Sequence, residues 1–185
     1  MFNSDRFKAI KNKGNIIFKS RFLNNLSKVE QYEFLNLCHR RKYKKGTTIY
    51  YQGDPSTGLY FIEEGRVELT VKNSPDDSAS TYSHTINAPE SFGTLSIGYE
   101  FKRLATARCL TQATLMGFFK PDFETLKKRQ PHIAVKFVET LTAITMRQLS
   151  SAIAELNEDS KARKVIALQL KHYYENVERD DNSLF

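Results

Sequence analysis

In the stretch FGTLSIGYEFKRLATA, residues 92–107, a glycine at a turn is followed ten residues later by a single arginine. Gly93 frees the backbone so that N–H groups can converge on a ligand at the opening of a short helical turn, where unpaired donors and the helix dipole favour negative charge. Arg103 adds a planar fork of donors whose geometry suits phosphate. The chemistry this pair supports is anion capture. A Gly–Arg pair alone fits a tight turn beside a surface cation equally well, so the surrounding elements have to decide.

From Tyr43 to Ala113, short runs rich in Thr, Tyr, Val and Ile alternate with Gly, Pro and Asp. Thr48–Tyr51, Leu59–Glu63, Arg66–Lys72, Ser80–Ile86, Ala105–Cys109 and then Leu115–Phe119 have the composition of strands. Gly53-Asp54 and Glu64-Gly65 mark turns, and Asn73 to Ser78 marks a polar loop. Regularly spaced short strands predict a small β-sandwich or jelly roll that the 92–107 stretch interrupts. Alternation along the strands brings Val71 and Tyr82 forward as apolar surface for a flat ligand, although inward residues of a barrel are core more often than contact.

Helical signals flank these strands. Ser27 with Glu30 three residues on is a capping-box pattern. Val29, Tyr32, Phe34, Leu35, Leu37 and Cys38 give the following helix an apolar face, and His39-Arg40-Arg41-Lys42 close it with charges that suit the dipole. Asp122 opens a short helix through Lys128, and Pro131 takes the first position of a long one. There Ala134, Val138, Leu141, Thr145, Leu149, Ala152 and Leu156 form one stripe; Phe137, Ile144 and Ile153 form a second, which suits packing on the roll and on a second chain. Asn157 to Ser160 read as a break before a last amphipathic helix. Residues 1–19 read as a frayed tail or short docking helix.

Composition narrows the function classes. The 185 residues are 40% hydrophobic and 26% charged, as in an ordinary globular protein. The formal charge is +7, and up to residue 48 only Asp5, Glu30 and Glu33 oppose many Lys and Arg. A solvated surface is the first reading of that excess, and a basic arm on nucleic acid or a membrane surface the second. Cys38 and Cys109 lie far apart without a C-x-x-C, which argues against a zinc or iron–sulfur centre and for a reducing, cytoplasmic setting. No run of about 18 apolar residues predicts a membrane span. His39, His84, His132 and His172 fall in different elements without a nucleophile elbow, metal-ligand spacing or Walker loop, so neither catalysis nor a resident cofactor is expected.

The stretch KKGTTIYYQGDPSTGLYFIEEGRVELTVK, ending at Lys72, resembles the first half of a cyclic-nucleotide-binding domain of the cyclic-AMP receptor type. Gly46, Gln52-Gly53-Asp54, Tyr60-Phe61-Ile62, Gly65 and Val67 carry the match. Phe92, Gly93, Leu95, Arg103, Ala105 and Thr106 resemble the phosphate-binding cassette of that family. The resemblance implies an α+β fold built on a β-barrel or jelly roll, a double-stranded β-helix, with an N-terminal helix and long C-terminal helices. It divides the chain into a basic arm (1–20), the roll (21–130, cassette 92–107), a dimerisation helix (131–156) and a C-terminal helix and tail (157–185).

The function it implies is a stand-alone regulatory module that senses cyclic AMP, cyclic GMP or a related anion. Gly93, Thr94 and the backbone near Leu95 would hold ribose and phosphate, Arg103 would neutralise the phosphate, and the 131–156 helix would pair two subunits and relay occupancy. Three departures bear on this. Thr94 stands where the family has Glu, Pro89-Glu90 where it has Gly-Asp, and Leu104 where a small residue follows the arginine. They favour an alternative in which a ligand-free dimeric scaffold recruits an unknown protein partner. A third reading, a fragment of a transcription regulator, would require the winged helix; as the chain stands, sequence-specific DNA binding is not expected.

Overall fold

The computed structural model describes residues 19–72, 81–97 and 100–158. The expectations for 1–18, the 73–80 loop, the last helix and the tail lie outside these residues, as does His172. A 3-10 turn, Arg21–Leu23, leads to helix α1, Lys28–Leu35. Strands follow as β1 His39–Tyr43, β2 Thr48–Tyr50, β3 Thr57–Glu64, β4 Arg66–Lys72, β5 Thr81–Asn87, β6 Ser91–Leu95, β7 Thr106–Cys109 and β8 Ala113–Phe119. Helices α2, Lys120–Arg129, and α3, Pro131–Glu158, complete the described order.

The strands form two four-stranded sheets, β1-β8-β3-β6 and β2-β7-β4-β5, paired antiparallel throughout. This is the jelly-roll fold expected from the turn spacing. Ile62, Val67, Ile86, Phe92, Ala107, Cys109, Ala113 and Leu115 fill the space between the sheets. Because successive side chains of a strand point to opposite faces, Leu59 and Phe61 of β3, laddered against Phe118 and Met116 of β8, lie on the other face of the first sheet. Helices cover that face: Phe118 stacks on Phe34 of α1 at 4.4 Å between centroids and meets Phe137 of α3 at 5.2 Å. Every β8 side chain from Ala113 to Phe118 is therefore buried, and the strand shows no polar–apolar alternation.

The Ser27–Glu30 capping box is present: the Ser27 hydroxyl accepts from Glu30 N–H at 3.3 Å, and the Glu30 carboxylate accepts from Ser27 N–H at 2.6 Å. Pro131 does start the long helix, in which Asn157 and Glu158 are still helical; the rest of the expected break at 157–160 lies outside the described residues. Two other expectations are corrected. His39-Arg40-Arg41-Lys42 do not close α1, which ends at Leu35; they form strand β1. As an edge strand exposed over His39 to Lys42, it carries charge instead of an apolar stripe, a pattern that resists edge-to-edge pairing and hides the strand from a periodicity reading. Asp122 does not open the second short helix but sits in its first turn, where it accepts from the Phe119 N–H at 2.8 Å.

The chain divides into two compact units at the Val138–Glu139 boundary. The first turns of α3, within the first unit, bury Ile133, Ala134 and Phe137. In the second unit Met146 and Leu149 of α3 are exposed.

Candidate functional site

The Gln52-Gly53-Asp54 turn is built by local bonds. Tyr51 N–H donates to the Asp54 carboxylate at 2.8 Å, Gln52 N–H to the Thr106 hydroxyl at 3.0 Å, and the Gln52 amide exchanges hydrogen bonds with the Lys72 backbone. Gly53, at φ +90°, takes a conformation that side-chained residues avoid. The turn grips the backbone of Arg103: Gly53 N–H donates to the Arg103 carbonyl at 2.8 Å, and Arg103 N–H donates to the Asp54 carbonyl at 2.7 Å.

So anchored, the Arg103 side chain enters the roll and is only 6% exposed. Its guanidinium carbon lies 4.1 Å from the centre of the Tyr50 ring and 6.0 Å from that of Tyr60. Nη2 donates to the Gly58 carbonyl at 2.9 Å. The Tyr60 ring is stacked on Phe92 and met edge-on by Phe119, so the arginine faces an aromatic wall contributed by both sheets. Burial pulls the Arg103 pKa down, while Tyr50, Tyr60 and Asp54 push it back up. Burial pushes the Tyr50 phenol up to about 12 against the opposing pull of Arg103, and Tyr60 is raised for the same first reason. Both phenols are therefore neutral near pH 7. A buried cation on an aromatic face gains about 2 kcal/mol or more from that contact when desolvated.

Gly93 is where the expectation changes most. It opens no helical turn; it lies inside β6, opposite Leu59, at φ +85°. An added Cβ would come within 2.9 Å of both Arg103 Nη1 and the Gly58 carbonyl oxygen. The glycine is needed for a left-handed conformation and for close approach of the guanidinium, and its backbone is laddered rather than presented as a helix N-terminus. Thr94 stands opposite Gly58, and Leu95, buried, opposite Thr57. The structure thus joins Gly93 and Arg103 directly.

The remaining candidates are spread wider. Leu104 is 78% exposed, so it is no part of the buried wall around the guanidinium. Val71 and Tyr82 pair across β4 and β5, with Val71 half-buried and Tyr82 70% exposed. Pro89-Glu90 form the β5–β6 turn, where the Glu90 carboxylate accepts from Asn87 N–H at 3.1 Å. Among the described residues, the histidines do not converge on the arginine. His39 pairs with Asp122 at 3.0 Å, His132 lies 3.9 Å from Glu30, and His84 is exposed opposite Leu69. Sequence reasoning missed Tyr50 and Gly58 as partners of Arg103. The only available signal was the parity of Tyr50 on a short strand, and a bulge between Thr48 and Tyr50 obscures it.

The family model described as the cyclic nucleotide-binding domain matches residues 40–130. The chain carries a cyclic nucleotide-binding domain. The match takes in both sheets and the Arg103 loop. The cyclic AMP receptor protein of Thermus thermophilus is 30% identical over 72% of this chain and 61% of its own length. A potassium channel protein of Rhodopseudomonas palustris is 28% identical over 66% of this chain and 29% of its own. The chain thus spans less than two thirds of either relative. Among solved structures, the catabolite activator protein of Thermus thermophilus superposes with a TM-score of 0.64 at 28% identity, covering 75% of this chain and 62% of that one. The domain is of the cyclic-AMP receptor type, and no helix among the described residues is long and apolar enough to cross a membrane.

Proposed function

We propose that this chain is a regulatory module whose cyclic nucleotide-binding domain takes up cyclic AMP or cyclic GMP. The observation that carries the reading is the Arg103 guanidinium, buried inside the roll against Tyr50 and beside the positive-φ Gly93. A guanidinium keeps its in-plane donors when an aromatic ring takes its face, and a cyclic phosphate is the group those donors suit. Gly93, Thr94 and the Leu95 backbone border the phosphate and ribose, Leu104 flanks the phosphate from the solvent side, and Val71 with Tyr82 offers a surface to the base. The ligand is the only small molecule the function requires, and the module does no catalysis itself.

The 131–156 segment of α3 relays occupancy and pairs two copies of the chain. Exposed Met146 and Leu149 support the pairing. Relay works only if the nucleotide binds two helix positions with different affinity. The free thiols of Cys38 and Cys109 are consistent with a cytoplasmic setting.

A ligand-free scaffold that docks a protein partner is the second reading. The bond already made from Arg103 Nη2 to the Gly58 carbonyl favours it, as does Thr94 in place of a charged acceptor. A transcription regulator of which this is a part is a third, in keeping with the share of the cyclic AMP receptor protein that the chain spans.

Isothermal titration with cyclic AMP and cyclic GMP, on wild type and Arg103→Ala, separates the first two. Saturable binding lost in the variant, with the melting transition retained, supports the sensor. No heat up to millimolar nucleotide moves the assignment to the scaffold.

A further inference from the structure

The segment 50–54 holds Arg103 twice. Its turn grips the main chain through Gly53 N–H and the Asp54 carbonyl, and Tyr50, at the end of β2, lies under the guanidinium. Tyr60 is the more distant ring, at 6.0 Å against 4.1 Å, and already stacks on Phe92. Tyr50 belongs to one sheet, while Gly58, which accepts from Nη2, belongs to the other. The guanidinium therefore spans the roll, with its carbon over the Tyr50 ring, Nη2 bonded to the Gly58 carbonyl and Nη1 next to Gly93. An arginine has many rotamers, and an aromatic face selects those that keep the plane parallel to the ring and the N–H edges free for an acceptor.

We infer that Tyr50 is the positioning residue of the anion site, holding Arg103 through its ring face so that the guanidinium edge is presented to a phosphate. The ligand half of this inference rests on the function proposed above; the positioning half does not. The ring, not the hydroxyl, is the working part, which distinguishes the role from that of a hydrogen-bonding tyrosine. It also differs from core filling, because a leucine occupies much of the same space but offers no π face.

The test uses the full chain labelled with 15N, as wild type, Tyr50→Phe and Tyr50→Leu. In nucleotide-free protein the Arg103 side-chain N–H resonance is expected to be shifted by the ring current in wild type and Tyr50→Phe, and to lose that shift in Tyr50→Leu. Titration with cyclic AMP and cyclic GMP is then expected to leave Tyr50→Phe within about twofold of wild type and to weaken Tyr50→Leu by about 2- to 30-fold, the range that a cation–π contact spans.

An unchanged Arg103 resonance in Tyr50→Leu overturns the inference, and so does equal weakening by Tyr50→Phe and Tyr50→Leu. If wild type binds neither nucleotide but the resonance still depends on the Tyr50 ring, positioning stands and the ligand reading falls. Should Tyr50→Leu not fold, the Tyr50 ring resonances compared between wild type and Arg103→Gln read the same contact from the other side. No difference there counts against it.

Discussion

Glu30 of α1 holds the Lys136 ammonium of α3 with both carboxylate oxygens, at 2.6 and 2.9 Å. The same carboxylate closes the capping box on Ser27 N–H, and the Asn25 amide donates to the Lys136 carbonyl at 2.7 Å. One side chain thus caps a helix and ties it to another, which sets the first prediction.

The bond to Lys136, followed by the Ser27 N–H, lowers the Glu30 pKa from 4.5 to about 2. A carboxyl whose pKa is lower in the folded chain contributes stability that is complete above its unfolded value and is lost as pH falls through the folded one. Stability should therefore drop between about pH 4.5 and pH 2. Glu30→Gln should flatten that part of the curve and lower stability at pH 7 by on the order of 1–2 kcal/mol, allowing for screening at the partly exposed lysine. Urea unfolding of both proteins from pH 2 to 7 checks this, and parallel curves would count against it.

Gly93→Ala should cost more than an exposed glycine replacement. The residue is held at φ +85°, and the new methyl would press on Arg103 Nη1 and the Gly58 carbonyl oxygen. A loss of about 1–3 kcal/mol is expected from the backbone alone. Urea unfolding gives the stability, and nucleotide titration should show affinity falling with it. A variant as stable as wild type would count against both the backbone strain and the close guanidinium contact.

Phe118→Ala should be among the most damaging single changes. The ring meets Phe34 and Phe137 and joins β8 to both helices. A fully buried phenylalanine replaced by alanine typically costs about 3–5 kcal/mol. Phe118→Leu should cost much less. Equilibrium unfolding reads both, and a small loss for the alanine variant would show that the helices close over the gap.

Thr94→Glu would restore the acceptor that the resembled family has after the cassette glycine. If the domain binds a cyclic nucleotide, a charge-assisted bond to the ribose should tighten it by about 10- to 100-fold. Titration calorimetry measures the change. Equal affinity in both proteins would show that ribose recognition runs through another residue.

How legible the site was depends on the distance over which its parts meet. Gly93 and Arg103 stand ten apart and were read together, but as a helix opening rather than as a strand glycine against a guanidinium. The sequence carries no mark of the Gly58 carbonyl, 45 residues before Arg103, as the acceptor. That bond forms only once the Gly53-Asp54 turn, just before β3, holds the Arg103 backbone. Tyr50 was one of several tyrosines until the roll closed and brought it under the arginine.

By itself the sequence determined what local physics can set. The Ser27 cap, the Pro131 start of α3, the β-propensity of the roll and its turn glycines all act over a few residues, where side-chain chemistry and backbone sterics suffice. Tertiary structure decided the rest. It turned the basic run His39–Tyr43 into edge strand β1, placed Leu104 in solvent and stacked Arg103 on Tyr50. Each of these outcomes needs elements distant in the chain to meet, and a guanidinium is stable inside the roll only once aromatic and carbonyl partners from both sheets surround it.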